Sequence, residues 1–554
     1  MAEYLLPDLV VQLDNIETPT SFPEEKGIVQ VVVTNQGDKQ FSEPLDINLY
    51  ASTDSVLDLP LNEGNLEGTD ELLGSLNRLV NLAPGESTSF IVNFAETEFR
   101  TASVVAPGSY YLLAGVDPGY TIAESNEENN LTSTHISADG TDTVIDWNAT
   151  LLNAIQADGT FAPQAARNQA IVHTAIYDAV NAIDRSHSAY FVNVDPSEAA
   201  NASPAAAAAA AAHRTLVNLY PEQTATFDLQ LSRSLAEIPD GPSQSKGIAL
   251  GKYVADQILT LRNTDGAAKA EGSYTPGTEL GDWRPTPPNF APAISPQWGL
   301  VTPFAIPKVS DFRPSAPPKL DSDLYAADLN EVKALGDANS SIRTLDQTEI
   351  AKFWSFDHTN NIGVTGLWNK IAEEVAIKQG NTLEENARLF ALLNIAQADG
   401  GIVTLDTKYT YNQWRPITAI READTDSRED TVAAPDWTPL LPTPSAPDYL
   451  SGHSLQGSAS AVILTSFFGD DYSFTTTSPE LPGISRSYDN FFEAADENAL
   501  SRLYGGVHYR TSNEQGLATG LEIGNYIAQN ILLPSNEQEL STGLGDYVSQ
   551  SILG

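Results

Sequence analysis

The sequence predicts a multidomain chain: an N-terminal antiparallel β-sandwich followed by a large, mainly α-helical bundle domain. Three observations predict it. At 554 residues the chain is too long for one ordinary domain and can bury a large core. Up to about residue 137, short β-branched runs alternate with turn residues. From about residue 144, apolar residues recur at helical spacing. The expected limits are 1–138 for the sandwich, 139–143 for a linker, 144–535 for the helical domain and 536–554 for a C-terminal tail.

The strand reading rests on Leu9 to Leu13, Ile28 to Val33 and Phe90 to Phe94, punctuated by Asn35-Gln36-Gly37, Pro84-Gly85-Glu86 and Pro107-Gly108. These turns, with Pro107-Gly108-Ser109-Tyr110-Tyr111 and Glu124 to Asn130, resemble the cell-adhesion-related bacterial domains of immunoglobulin-like fold. The resemblance implies a binding or spacer module whose ligand is unknown, not a catalyst. Asp117, Glu124, Glu127 and Glu128 are acids that calcium could use, but they lack a defined ligand spacing, so a solvated loop is the better expectation.

The helical reading begins with Gln164 to Ile183, where Val172, Ile176, Ala179, Val180 and Ile183 share a face. Arg167 and His173 on this stretch are expected to be structural. Ser203-Pro204 starts a run of alanines to Ala212, with a hydroxyl at the N-cap and proline in the first turn. Gly247, Gly251 and Ala255 form a small-residue face suited to close helix packing. Residues 266–320 are rich in proline, contain Trp283 and Trp298, and read as a long irregular segment wrapping the helical body. Thr382 is placed to cap a long helix running to Lys408. His358, after an aromatic run, reads as packing or surface.

Composition narrows the function. The balance of 29 basic against 73 acidic residues, a net charge of −44, argues against nucleic acid or an anionic membrane as partner. No apolar run approaches the length of a membrane span. The stretch Met1 to Pro7 lacks the basic start and apolar middle of a secretory signal, which leaves an extracellular or cell-surface setting without support from that route. There is no cysteine and one methionine, which excludes disulfide and thiol chemistry and suits a chain that meets strong oxidants.

Against this acidic background, three blocks concentrate cations and imidazoles. Lys408 and Arg415 are seven residues apart, two turns of a helix, and so would share one face. Ser451-Gly452-His453-Ser454 precedes an apolar helical run. Ser451 would therefore sit at a helix N-terminus, where free N–H groups favour an anion. Gly452 would let backbone approach that anion, and His453 could exchange a proton beside it. Arg502 and His508 are six apart and would diverge on one helix; Gly505-Gly506 between them can break it and re-aim His508. Each block alone has a bland reading, as surface charge, a serine cap or a helix end. Together they describe a cradle for a tetrahedral oxyanion.

The order Lys-x6-Arg-Pro, Ser-Gly-His, Ser-Arg-x5-His resembles the superfamily of type 2 phosphatidic acid phosphatases and vanadium-dependent haloperoxidases, and the long helical context resembles the haloperoxidases. The resemblance implies vanadate as cofactor, with Lys408, Arg415, Ser451, Gly452 and Arg502 holding its oxygens and His508 bonding the vanadium. It gives His453 the acid–base role and has Lys408 polarise peroxide. The implied partners are hydrogen peroxide, a halide (bromide or iodide favoured) and a small organic acceptor, and homo-oligomers occur among such proteins. Two rivals stand beside it: an acid phosphatase in which His508 attacks phosphorus, and an adhesion protein with a silent helical domain.

The chain departs from the pattern in three places. Leu450 replaces the proline before Ser-Gly-His. Ser512 replaces the acid often found four residues after the last histidine, so Ser512 or Asn513 would have to orient His508. Ala446, seven residues before His453, stands where larger side chains bear on halide choice.

Overall fold

The computed structural model describes residues 6–17, 27–52, 71–94, 109–117, 122–126, 129–137, 142–269, 272–356 and 361–535. Glu127, Glu128, His358, most of the expected linker and the expected tail lie outside them. The chain divides into two compact units, Met1–Asn153 and Ala154–Gly554.

The first unit holds strands β1 (Leu9–Glu17), β2 (Gly27–Asn35), β3 (Phe41–Ser52), β4 (Glu71–Leu82), β5 (Ser87–Phe94), β6 (Ser109–Val116) and β7 (Leu131–Ser137). They form two antiparallel sheets, in the orders β1-β2-β5 and β4-β3-β6-β7. Period-two alternation puts one side of each strand inside. Val29, Val31 and Val33 of β2 are buried, as are Leu45, Ile47 and Leu49 of β3 and Leu112, Ala114 and Val116 of β6. This is the sandwich that the turn-punctuated runs predict.

The Asn35 turn is held by its own side chain: Nδ2 donates to the carbonyls of Lys39 (2.8 Å) and Leu82 (3.1 Å), and Oδ1 accepts from Gly37 N (3.1 Å). The two described acids of the calcium candidate are internal acceptors. Glu124 accepts from Leu9 N and from Asn130 Nδ2, and Asp117 Oδ2 accepts from Ile122 N at 2.7 Å. Both are buried, so the expectation of a solvated loop fails for them.

Helix α1 (Thr143–Asp158) crosses the division between the units. The helical unit continues with α2 (Ala162–Asp184), α3 (Pro196–Ala199), α4 (Pro204–Leu219), α5 (Thr224–Ala236) and α6 (Pro242–Arg262). After the irregular segment come α7 (Asp323–Leu335), α8 (Leu345–Phe353), α9 (Gly363–Gln379), α10 (Leu383–Tyr411), α11 (Pro416–Arg421), α12 (Gly452–Phe468), a hairpin of β8 (Phe474–Thr477) and β9 (Ser485–Tyr488), α13 (Phe491–Tyr504) and α14 (Arg510–Asn530). Among the described residues no helix is long and apolar enough to cross a membrane.

The alanine run is α4. Ser203 caps it, and Ala206 through Ala212 are fully buried. His173 is buried in α2 and stacks on Phe390 with ring centroids 5.2 Å apart. Burial holds its pKa down to about 3, so it is a neutral packing residue. Arg167 bonds Asp265 at 2.7 Å. Both are structural.

Helix α10 is buried on almost every side, which is why it lacks an apolar stripe. A capping box of Thr382 and Glu385 starts it. Asn394 and Asn369 of α9 exchange amide hydrogen bonds (2.8 and 3.0 Å), and Gln397 Nε2 donates to Ser460 Oγ of α12 at 3.1 Å. These bonds fix the register of three helices. Asp399 accepts from the backbone N–H groups of Phe304, Ala305 and Ile306 (2.6, 2.8 and 2.9 Å). It pins the proline-rich segment, whose Trp283 and Trp298 are buried, onto α10. The same segment meets the chain just before α12: Ile294 N donates to Ser445 O at 3.0 Å, and Tyr449 Oη to Ser315 O at 2.7 Å.

Candidate active site

The site forms where the end of α10, the start of α12 and the α13–α14 junction meet. Lys408 lies in the last turn of α10 and is buried. Its Nζ donates to the carbonyls of Pro447 (2.9 Å) and Asp448 (2.6 Å). The expectation that Lys408 and Arg415 share a helical face is corrected here. The chain turns at Asn412, which is left-handed at φ 53°, and Arg415 is the N-cap of α11. Proline at the next position fits a helix start and not a helix interior. Arg415 nevertheless reaches the same loop, with Nε donating to Ala446 O at 2.7 Å and Nη1 to Val507 O at 2.9 Å.

Ser451 is the N-cap of α12, accepting a 2.9 Å hydrogen bond from Ser454 Oγ. Gly452 and His453 are the first two helical residues, and their N–H groups have no carbonyl one turn earlier to bond. The stripe Gly516, Gly520 on α14 sets this helix end. A Cβ on Gly516 would lie 2.6 Å from Ser451 O and one on Gly520 2.2 Å from Leu455 O, so only glycine permits the approach. Ser451 N donates to Ser512 O at 3.1 Å across that contact.

Helix α13 ends at Tyr504, and Gly506 takes φ 77°, a conformation open to glycine. The break returns His508 to Arg502, whose carbonyl lies 3.4 Å from His508 N. Arg502 Nη1 and His453 Nε2 both donate to Ser355 O, at 3.2 and 3.1 Å. All seven residues singled out in the sequence thus gather at one place.

The electrostatics are those of an anion site. Lys408, Arg415 and Arg502 are three buried cations. Burial, then Arg415 and Arg502, hold the Lys408 ammonium well below its ordinary pKa, opposed by Asp448. His508 is held well below its ordinary value by burial and then by Arg415, Lys408 and Arg502. His453 is held down by burial and then Arg502. Both imidazoles are therefore neutral at neutral pH. Asp448, fully buried, is pushed up to about 6 by burial and pulled back by Arg415 and Lys408. Three basic side chains converge here beside the buried carboxylate of Asp448. Such a set suits a tetrahedral oxyanion, to which the α12 N-terminus supplies further donors. Thr404 Oγ1, one turn before Lys408 and beside Gly452, is a buried hydroxyl without a hydrogen-bond partner. The residues present fit vanadate.

The sequence reading missed two participants. One is the Ser355 carbonyl, which carries no side-chain signal. The other is Asp448, whose signal was an acid within the apolar and proline-rich run before Ser451. Of the two residues expected to orient His508, Ser512 is in place, with Oγ 3.2 Å from Nδ1. Asn513 is not: its Oδ1 faces Ser454 Oγ at 3.3 Å.

The fold and the gathered residues can be set beside known proteins. Residues 388–534 match the family model of the VCPO second helical-bundle domain, and residues 6–134 match the CARDB model. Vanadium chloroperoxidase of Curvularia inaequalis is 27% identical over 455 residues, covering 63% of this chain and 74% of that protein. The crystal structure of a bacterial vanadium-dependent iodoperoxidase is 28% identical with a TM-score of 0.63, covering 71% of this chain and 96% of the other. A bacterial vanadium-dependent chloroperoxidase in its holo form shares the fold at 19% identity and TM-score 0.54, covering 67% and 92%. The chain is thus similar to CARDB domains over residues 6–134 and, over its helical unit, to vanadium-dependent haloperoxidases.

Proposed function

We propose that the helical domain binds vanadate and oxidises a halide, bromide or iodide, with hydrogen peroxide, and that the oxidised halogen then reacts with a small organic acceptor. The observation that carries this reading is the set of three buried cations around the N-terminus of α12 and the Nε2 atom of His508. In it Lys408, Arg415, Ser451, Gly452 and Arg502 would hold the oxyanion, and His508 would ligate the metal through Nε2. Bound vanadate supplies an electrophilic centre at which peroxide becomes reactive toward halide. Lys408 would present its positive charge to the oxidant held there. His453 has its Nε2 proton committed to Ser355 O, so its basic nitrogen is Nδ1, and it takes up and returns protons there. Ala446 by itself leaves the halide undecided, and the similarity to an iodoperoxidase supports including iodide in the test.

The test is to load the purified protein with vanadate and assay bromide and iodide oxidation with hydrogen peroxide, and phosphate-ester hydrolysis separately. Halide oxidation suppressed by inorganic phosphate is expected. Hydrolysis without halide oxidation would instead assign the phosphatase reading, and neither activity in a folded protein would leave a silent helical domain. His508→Ala is expected to abolish vanadate-dependent turnover.

A further inference from the structure

His508 lacks the acid four residues downstream that would orient it, and the fold supplies one from elsewhere. Asp448 Oδ1 lies 3.0 Å from His508 Nδ1 and 3.8 Å from Arg415 Nη1. On the other side of the ring, Arg415 Nη1 is 3.1 Å from Nε2. A guanidinium only donates, so Nε2 must accept, and the ring proton is on Nδ1. That N–H has two neighbours in reach, Asp448 Oδ1 at 3.0 Å and Ser512 Oγ at 3.2 Å. The N–H direction favours the hydroxyl, whereas the carboxylate is closer, charged and fully buried. A charge-assisted bond in a dry site outweighs a neutral one, and a serine hydroxyl can rotate to serve another acceptor.

We propose that Asp448 is the positioning residue of His508: its carboxylate accepts the Nδ1 proton, fixes the tautomer that exposes the Nε2 lone pair, and raises the basicity of that nitrogen as a metal ligand. The carboxylate has moved from the segment after His508 to the segment before Ser451, and it reaches the same nitrogen. The assignment deepens the vanadate reading and rests on it for the identity of the ligand, but not for the tautomer.

The test compares Asp448→Asn with Ser512→Ala in two measurements. The first is the side-chain ¹⁵N spectrum of the histidines in vanadate-free protein, with His508→Ala identifying the His508 signals. Wild type and Ser512→Ala are expected to show the Nδ1–H tautomer of His508, and Asp448→Asn a mixture containing Nε2–H. The second is calorimetric affinity for vanadate and for inorganic phosphate. Vanadate can accept a bond from Nε2 and phosphate stays tetrahedral, so the ratio of the two affinities reports the ligand and cancels general damage. Asp448→Asn is expected to lower the vanadate preference at least tenfold, and Ser512→Ala less than twofold. A change common to both anions, or a larger loss in Ser512→Ala, would overturn the proposal. Should Asp448→Asn not fold, Ser512→Ala alone decides, since loss of the Nδ1–H tautomer there hands the role to Ser512. Wild type that fails to bind vanadate would sink the functional reading and leave the tautomer result standing.

Discussion

Arg415 shows what one side chain does in this site. It donates to two carbonyls and to His508 Nε2, and it depresses the pKa of both His508 and Lys408. Arg415→Ala removes a charge-assisted bond to any bound oxyanion, at about 1.5–3 kcal/mol. Vanadate affinity measured by calorimetry is expected to fall about 100-fold, with the helical far-ultraviolet signal retained. His453 gives a second test at this scale. Burial, and then the positive charges of Arg502 and Lys408, hold its imidazole neutral. A bound dianion offsets both cations, so the His453 pKa should rise when inorganic phosphate is added. An upward shift is expected in an NMR titration, and an unchanged value would contradict it.

At the scale of elements, the site depends on one helix end being pressed into place. Helix α14 meets the start of α12 backbone to backbone at Gly516 and Gly520. In Gly520→Ala, the new Cβ would collide with Leu455 O, and the helices must separate. The expected result is about 2 kcal/mol of lost stability together with weaker vanadate binding, because Ser451 and Gly452 move with α12. The capping box of α10 is a control. Thr382→Ala frays the far end of that helix at a cost of about 1 kcal/mol in chemical denaturation, and vanadate affinity should stay unchanged. The sequence revealed that cap directly, since capping is a local pattern of hydroxyl and carboxylate. The glycine spacing on α14 is equally local, but its meaning is set by what lies across from it. For the same reason the Lys408–Arg415 interval misled: a spacing of seven suggests one helix, and the turn at Asn412 followed by Pro416 decides otherwise.

For the helical unit as a whole, buried carboxylates tie irregular segments to the helical body. Asp399 binds three backbone N–H groups, yet burial outweighs them and pushes its pKa up to about 6. A carboxyl whose folded value lies above its unfolded value is bound to its proton more tightly in the folded state. Its contribution to stability is therefore full below about pH 4 and declines as pH rises through 6, by up to about 3 kcal/mol. Asp399→Asn removes that dependence and sets an amide NH₂ against a backbone N–H. The wild-type advantage over the variant in unfolding free energy should be largest near pH 4 and smaller at pH 7, as denaturant titrations at both pH values would show.

Residue order alone determined the class of each domain, the helix caps and the cation, hydroxyl and imidazole set, because these rest on periodicity and local hydrogen bonding. Tertiary structure decided the rest. It placed Asp448 against His508, brought Ser355 O beneath His453 and Arg502, used Glu124 and Asp117 as internal acceptors, and left Ser512 as one of two rivals for a single proton. The physical reason is that a buried polar group is defined by its partners in space. His508 and Asp448 are sixty residues apart in the chain, and their 3.0 Å separation follows from helix packing and a glycine break that no local pattern encodes.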